Sequence, residues 1–165
     1  MRILYVEDNQ ANVYLVRRVA LGHEVINHID GEQAIASIKA DNPDLILMDI
    51  QLAGPMSGLD VVRKLREEGN ETPIIAVTAY AMVGDREKCL AAGCNEYLAK
   101  PLPITQLIGL IKKYSELTDL RNTQEAEAIA QAINEVAETE PAPEETESPV
   151  DADDIETPVS EVADE

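Results

Sequence analysis

Polar and charged side chains follow four short apolar stretches of this sequence, each at the point where the stretch ends. They are Glu7 and Asp8 after the first stretch, Asp49 after the second, Thr78 after the third and Lys100 after the fourth. If the stretches are parallel strands, their carboxyl ends meet at one sheet edge, where open α/β sheets bind ligands. Carboxylates together with a hydroxyl and an ammonium suit a divalent cation and a phosphoryl group. The pattern therefore predicts a site of this kind around Asp49.

The elements that must position these residues alternate along the chain. Strands are predicted at 2–6, 24–27, 45–48, 74–77 and 94–98, and helices at 9–21, 31–39, 59–68, 84–92 and 104–117. The helices carry apolar residues at helical spacing. The strands are apolar without interruption, which indicates that both faces of the sheet are covered. With right-handed crossovers, this pattern predicts an α/β fold with a doubly wound parallel sheet of five strands.

Length and composition limit the class of protein. The chain has 165 residues and 45% hydrophobic content, enough for one domain with an appendage, and it lacks Trp and Phe, which predicts an aliphatic core. No apolar run reaches the roughly 18 residues of a transmembrane helix. Glu7 and Asp8 interrupt the only early apolar run, so we expect no signal peptide. We expect a soluble, cytoplasmic protein.

Charge is distributed unevenly along the chain. The formal net charge is −19. Residues 1–118 carry 16 acidic and 12 basic side chains, whereas residues 119–165 carry 16 acidic side chains and one basic side chain. A near-balanced domain is thus followed by a strongly acidic segment. Such a segment repels nucleic acid and anionic lipid, so we expect neither a nucleic-acid nor a membrane partner.

The segment after residue 118 differs in character from the rest. A short amphipathic helix or linker is predicted at 119–137, where Asn122 and Glu125 resemble a capping box. From 138 to 165, prolines alternate with acidic residues. We expect an acidic disordered tail there, because this composition buries too little apolar area to offset its ordering entropy. Two roles remain open for the tail: selection of partners with basic surfaces, or an inert linker.

Four sequence motifs occur at the predicted strand ends. They are Val6-Glu7-Asp8-Asn9, Leu47-Met48-Asp49-Ile50, Ala76-Val77-Thr78-Ala79 and Tyr97-Leu98-Ala99-Lys100-Pro101. Together they resemble the receiver domain of two-component response regulators, over residues 1–117. One such motif alone is weak, but the ordered set is highly specific. The resemblance implies a flavodoxin-like receiver fold with strand order 2-1-3-4-5, and a stand-alone receiver domain at 1–118.

The resemblance also implies how the chain signals. Asp49 would accept a phosphoryl group from a histidine kinase or a histidine phosphotransfer protein, as part of a histidine-to-aspartate phosphorelay. Thr78 would hydrogen-bond that phosphoryl group and Lys100 would pair with it. Tyr97 would be the aromatic switch, turning inward as Thr78 moves. Output would pass to a downstream protein through the surface formed by the fourth helix, fifth strand and fifth helix, or the phosphoryl group would be passed onward. Separately from the resemblance, Tyr80, two positions after Thr78, is a candidate for shielding the site from water.

A magnesium site is the second implication of the resemblance. The ligands would be Asp8, Asp49 and the backbone carbonyl of Gln51, with Glu7 acting through water, and the Lys100–Pro101 peptide would be cis. Elementary electrostatics supports the metal, because crowded carboxylates raise one another's pKa values. A hard cation such as Mg²⁺ removes that cost, and it prefers carboxylates, waters and phosphate oxygens.

Two features depart from the family pattern. The chain from Asp49 to Gly58 is one residue longer than usual, and Ala53 stands where the family customarily has proline. Pro55 is a candidate counterpart, so the path of this loop stays open. The first helix is about two residues shorter than usual, which leaves partner preference open. Gly58 itself is interpreted only as relieving the start of a helix.

Two other functions are compatible with these residues. One is a phosphate-independent protein interaction module with the receiver fold, against which the retained Asp8, Asp49, Thr78 and Lys100 argue. The other is a phosphatase of the haloacid-dehalogenase type, which also uses an aspartate nucleophile. That chemistry usually needs a second acid two residues later, where this chain has Gln51. A nucleotide-binding role is weak because the sequence has no glycine-rich phosphate loop. We expect no enzymatic turnover of a separate substrate.

Overall fold

The computed structural model describes residues 1–79 and 84–139, with side chains described up to residue 133. In this part of the chain the strands are β1 (Arg2–Val6), β2 (Glu24–His28), β3 (Leu45–Asp49), β4 (Ile74–Thr78) and β5 (Glu96–Ala99). The helices are α1 (Gln10–Val19), α2 (Gly31–Asp41), α3 (Gly58–Glu67), α4 (Asp85–Ala92) and α5 (Ile104–Thr139). The chain divides into two units, Met1–Ala128 and Ile129–Glu165, and the whole sheet lies in the first.

The sheet is fully parallel and has the strand order β2-β1-β3-β4-β5. This confirms the predicted α/β fold and the strand order 2-1-3-4-5. Every residue of β3 and β4 is buried, as uninterrupted apolar strands predict. β2 lies at the edge and is more exposed. The register places Asp49 opposite Val77 and Thr78 opposite Ala99, so the ends of β3, β4 and β5 lie at one edge.

Two hydrophobic cores cover the two faces of the sheet. Because successive strand residues point to opposite faces, Leu45 and Leu47 join one core while Ile46 and Met48 join the other. The first core packs against α1 and α5, and the second packs against α2, α3 and α4. In the described part, the buried core residues are aliphatic, small or sulfur-containing apart from Tyr5 and Tyr114. Tyr5 is thus an aromatic side chain in a core that composition predicted to be aliphatic.

Three helices begin at residues whose side chains accept a backbone N–H. Asn9 caps α1 and Asp30 caps α2. Ser57 and Asp60 form a reciprocal capping box at the start of α3. Because Ser57 directly precedes the helix that begins beside the Asp49 loop, this box fixes where the loop ends.

The capping box gives a stability prediction. Ser57→Ala removes the side-chain acceptor for the Asp60 N–H, and we expect it to lower the free energy of unfolding by about 1 kcal/mol. Urea denaturation with an unchanged slope measures this loss. Ser115→Ala in the interior of α5 is the control, and it should be neutral or slightly stabilising because alanine favours helix. Equal stability of the Ser57 variant and the wild type would contradict the prediction.

The last helix differs from the sequence prediction. α5 continues without a break from Ile104 to Thr139, whereas the pattern predicted an end at 117 and a separate short helix at 119–137. The capping signal at Asn122 is overridden because the chain from 118 to 139 contains neither proline nor glycine and is rich in helix-forming residues. The Arg121–Asp44 ion pair, at 3.5 Å, adds a tertiary contact to this part of the helix.

The predicted disordered tail began at residue 138. Residues 138 and 139 are helical, and the remainder of that prediction, 140–165, lies outside the described residues. Among the helices that the structure describes, none combines the length and apolar character needed to cross a membrane.

Candidate functional site

Three acidic residues lie together at the carboxyl ends of β1 and β3. One carboxylate oxygen from each of Glu7, Asp8 and Asp49 lies within 4.8 Å of the others. Glu7 and Asp49 are buried, whereas Asp8 is exposed. The cluster forms because β1 and β3 are neighbouring strands in the middle of the sheet. A set of carboxylate oxygens with one exposed member can hold a hard divalent cation that keeps part of its water shell.

Lys100 reaches this cluster from the end of β5. Its Nζ lies 2.6 Å from Glu7 Oε2 and 2.7 Å from Asp49 Oδ2. The Lys100 backbone N–H donates to the Thr78 carbonyl at 2.7 Å, and the Lys100–Pro101 peptide bond is cis. The ammonium is therefore a shared counterion for two buried carboxylates. Residues 7, 49 and 100, far apart in sequence, meet within hydrogen-bonding distance.

The electrostatics of Asp49 differ from those of an ordinary aspartate. Burial raises the pKa of Asp49 above its usual range. Hydrogen bonds from Lys100 and from the Gln51 backbone N–H, which lies 2.9 Å from Oδ1, oppose this rise without cancelling it. The charge of Glu7 raises the pKa further. Asp49 is thus a partly desolvated carboxylate, which is favourable for a nucleophile.

Glu7 contradicts the expectation that crowding raises the pKa of each carboxylate. Burial alone would raise the pKa of Glu7, but hydrogen bonds from Lys100, Tyr5 and Asn12 outweigh burial, and the pKa is lowered. Conversely, burial would lower the pKa of Lys100, but its bonds to Asp49 and Glu7 raise it. Hydrogen bonding to the charged forms therefore outweighs the effect of burial on the pKa values of these two groups.

Of the other predicted site residues, Thr78, Gln51 and Tyr97 lie in the described part of the chain, and Tyr80 does not. Thr78 is buried at the last position of β4, between β3 and β5 in the sheet. The Gln51 carbonyl as a metal ligand stays a prediction, since the described contact of Gln51 is its N–H to Asp49. Tyr97 lies in β5, partly buried against the core beneath α2, α3 and α4, and its switch role stays a prediction. Tyr80, predicted to shield the site, lies outside the described residues.

Sequence reasoning missed two residues that contact this site. Tyr5 donates its hydroxyl to Glu7 Oε2 at 2.7 Å. Gly58 packs against the main chain of Asp49, where a Cβ would lie 2.0 Å from the Asp49 carbonyl oxygen. The contact of Tyr5 could have been predicted from the sequence, because Tyr5 lies two positions before Glu7 at the end of one strand, and residues two apart in a strand lie on the same face of the sheet. The contact of Gly58 could not, because it depends on how the loop folds back.

The family to which the chain belongs follows from comparison with known proteins. Residues 3–112 match the profile of the family described as "Response regulator receiver domain". This chain belongs to the response regulator receiver family. The receiver is 43% identical over 116 residues to the polar-differentiation response regulator DivK of Brucella ovis, covering 68% of this chain and 94% of DivK. The protein is thus the receiver domain of a response regulator in two-component signalling.

Solved structures agree with this assignment. The receiver domain of a sensor histidine kinase from Pseudomonas aeruginosa PAO1 is 41% identical, with a TM-score of 0.61, and the match covers 68% of this chain and 95% of that chain. That structure has a magnesium ion coordinated in the active-site cleft. A CheY-like receiver domain protein from Methanospirillum hungatei JF-1 is 29% identical, with a TM-score of 0.63, covering 72% and 96% of the two chains.

Proposed function

We propose that this receiver is the phosphoacceptor of a histidine-to-aspartate phosphorelay. Asp49 takes a phosphoryl group from a histidine kinase or a histidine phosphotransfer protein. The observation that carries the proposal is the surroundings of Asp49: a buried carboxylate grouped with Glu7 and Asp8, and 2.7 Å from the Lys100 ammonium. These are the groups that in-line phosphoryl transfer needs, namely a nucleophile, a cation site and a mobile positive charge.

The proposed cofactor is Mg²⁺, held by Asp8, Asp49 and the Gln51 backbone carbonyl, with Glu7 acting through water. The donor set fits this metal because it consists of oxygens, and because exposed Asp8 leaves room for coordinated water. When bound, Mg²⁺ supplies charge neutralisation for the incoming phosphoryl group. Glu7 is fully buried and already hydrogen-bonded, which agrees with an indirect role.

Lys100 and Thr78 are the proposed partners of the transferred group. The oxygen of Asp49 forms a bond to phosphorus as the bond from phosphorus to its donor breaks. The modified side chain gains a charge of roughly −1.5 to −2, by analogy with phosphorylated hydroxyls. Lys100 then turns from the carboxylates to a phosphoryl oxygen, and the Thr78 hydroxyl donates to another. Movement at Thr78 turns Tyr97 inward, so that a local change of charge biases a two-state element.

The proposed output is a protein–protein contact through α4, β5 and α5. Lys113 of α5 pairs with Glu96 of β5 at 2.7 Å, so two of these elements are tied together at their surface. We propose a cytoplasmic location and no enzymatic turnover of a separate substrate. Nucleic acid and membrane surfaces are not proposed as partners, because the net charge of −19 repels both.

Acetyl phosphate labelling tests this function. The receiver incubated with acetyl phosphate and Mg²⁺ should gain one phosphoryl group, located on Asp49 by peptide mass spectrometry. Addition of EDTA before acetyl phosphate should reduce the labelling rate by more than about 100-fold, because metal neutralisation of the transferred charge is lost. A wild-type receiver that neither takes this label nor binds beryllofluoride with Mg²⁺ would contradict the proposal and favour a phosphate-independent interaction module.

Turnover of a phosphomonoester is a separate test. The receiver should not release phosphate catalytically from p-nitrophenyl phosphate in the presence of Mg²⁺. Gln51 occupies the position at which a haloacid-dehalogenase-type phosphatase usually carries its second acid. Sustained turnover that disappears in an Asp49→Asn variant would favour the phosphatase instead.

A further inference from the structure

Tyr5 is a buried residue of β1 whose hydroxyl reaches the phosphorylation site. Its side chain is 0% exposed and belongs to the core beneath α1 and α5. The hydroxyl donates to Glu7 Oε2 at 2.7 Å, and the same oxygen lies 2.6 Å from Lys100 Nζ. One carboxylate oxygen thus accepts from two donors. The other oxygen of Glu7 accepts the Asn9 backbone N–H at 3.2 Å.

The direction of the Tyr5–Glu7 hydrogen bond is clear. Burial, together with the hydrogen bond to Glu7, raises the pKa of Tyr5 well above its ordinary value. The phenol therefore keeps its proton and acts as a donor, and Glu7 acts as the acceptor. Tyr5 transfers no proton in this arrangement.

The two donors to Glu7 Oε2 differ in their freedom to move. Lys100 also contacts Asp49, and phosphorylation of Asp49 would draw the ammonium toward the phosphoryl group. Glu7 would then lose one of the two donors described at Oε2 while its side chain remains 0% exposed, and the Tyr5 hydroxyl would be the donor left at that oxygen. For a buried carboxylate, the loss of a charged donor costs free energy, and a donor that remains on the same oxygen reduces that cost. Tyr5 is fixed by its packing in the core and remains in contact with Glu7.

We propose that Tyr5 is a positioning residue of the phosphorylation site, whose hydroxyl holds Glu7 so that Lys100 can leave it for the phosphoryl group on Asp49. This inference rests on the proposed phosphoacceptor function. Tyr5 does not touch the reacting atoms, and it acts through Glu7 and Lys100.

Tyr5→Phe tests the inference because it removes only the hydroxyl. We expect the maximal rate of labelling by acetyl phosphate at saturating Mg²⁺ to fall about tenfold, since Lys100 becomes the main donor to Glu7 Oε2 and is retained there. The KM for acetyl phosphate should change less than about twofold, because substrate binding is not altered. Tyr114→Phe is the matched control: it removes a hydroxyl from a buried tyrosine of the same core, and its labelling rate should stay within about twofold of wild type.

A double-mutant cycle with Glu7→Gln separates positioning from packing. If Tyr5 acts through the carboxylate, Tyr5→Phe should have less than about a twofold effect in the Glu7→Gln background. An equal loss in both backgrounds would overturn the inference in favour of packing. If the labelling rate of Glu7→Gln is too slow to measure, ¹⁹F NMR gives the dissociation constants of beryllofluoride for the four proteins instead. Tyr5→Phe should then raise the dissociation constant in the wild-type background and change it less than about twofold in the Glu7→Gln background.

The outcomes distinguish the inference from the function on which it rests. A wild-type receiver that labels normally, beside a Tyr5→Phe variant that labels at the same rate, overturns the role of Tyr5 and leaves the phosphoacceptor function standing. A wild-type receiver that neither takes the label nor binds beryllofluoride with Mg²⁺ overturns both.

Discussion

Asp49→Asn is expected to abolish labelling by acetyl phosphate, with a loss of more than about 100-fold in rate. The amide nitrogen and oxygen of asparagine cannot form the acyl phosphate. The neighbouring carboxylates are poor substitutes. Glu7 is fully buried and bonded to Tyr5 and Lys100, and Asp8 is exposed, where water competes with the phosphoryl donor. The measurement is the mass of the intact protein after incubation with acetyl phosphate and Mg²⁺.

The variant should remain folded, which makes the loss of labelling interpretable. Asparagine has the size of aspartate and removes a buried negative charge from a crowded site. Circular dichroism and urea denaturation verify the fold. Asp119→Asn, an exposed change on α5 outside the acidic cluster, is the control and should label at the wild-type rate. Undiminished labelling of Asp49→Asn would place the phosphoacceptor elsewhere.

Much of the fold and of the site was predictable from local signals. The apolar run 45–48 predicted a strand that ends beside Asp49, and the structure extends that strand to Asp49 itself. In the same way, the apolar runs 74–77 and 94–98 predicted strands that end just before Thr78 and Lys100. Parallel strands with buried faces allow few arrangements, so charged residues after neighbouring strands must meet at one edge.

The features that sequence reasoning missed depend on tertiary packing. The lowered pKa of Glu7 reflects three hydrogen bonds, of which the one from Lys100 comes from a distant strand end. A local sequence pattern does not specify a hydrogen bond between residues so far apart in the chain. α5 is a different case, because its continuation past residue 117 follows from a local signal, continued helix propensity without proline or glycine, that outweighed the capping pattern.

Gly58→Ala is expected to destabilise the receiver by about 2–3 kcal/mol, although alanine is the better helix former. A Cβ at residue 58 would lie 2.0 Å from the Asp49 carbonyl oxygen and 2.9 Å from the Ile50 Cα, both of them main-chain atoms. The Gly58 N–H also donates to the Ile50 carbonyl at 3.1 Å, so the helix start cannot retreat without losing that bond. Removing the steric clash of this Cβ therefore requires the main chain of Asp49 to move.

Displacement of Asp49 should also slow phosphorylation. A shift of about 1 Å in a reacting group can reduce a rate by about 100-fold, so we expect the labelling rate of folded Gly58→Ala to fall at least about tenfold. Urea denaturation gives the loss of stability, and acetyl phosphate labelling below the unfolding transition gives the rate of the folded form.

Gly109→Ala is the matched control because the same substitution there meets open space. Gly109 lies inside α5, where an added Cβ has no neighbour within 4 Å. We expect this variant to gain about 0.5–1 kcal/mol from helix propensity and to label at the wild-type rate. If the free energy of unfolding falls in Gly58→Ala and rises in Gly109→Ala, the effect at residue 58 is due to contact with the Asp49 main chain. If Gly58→Ala matches the stability and labelling rate of the wild type, the loop adjusts freely, and glycine at residue 58 has no part in placing Asp49.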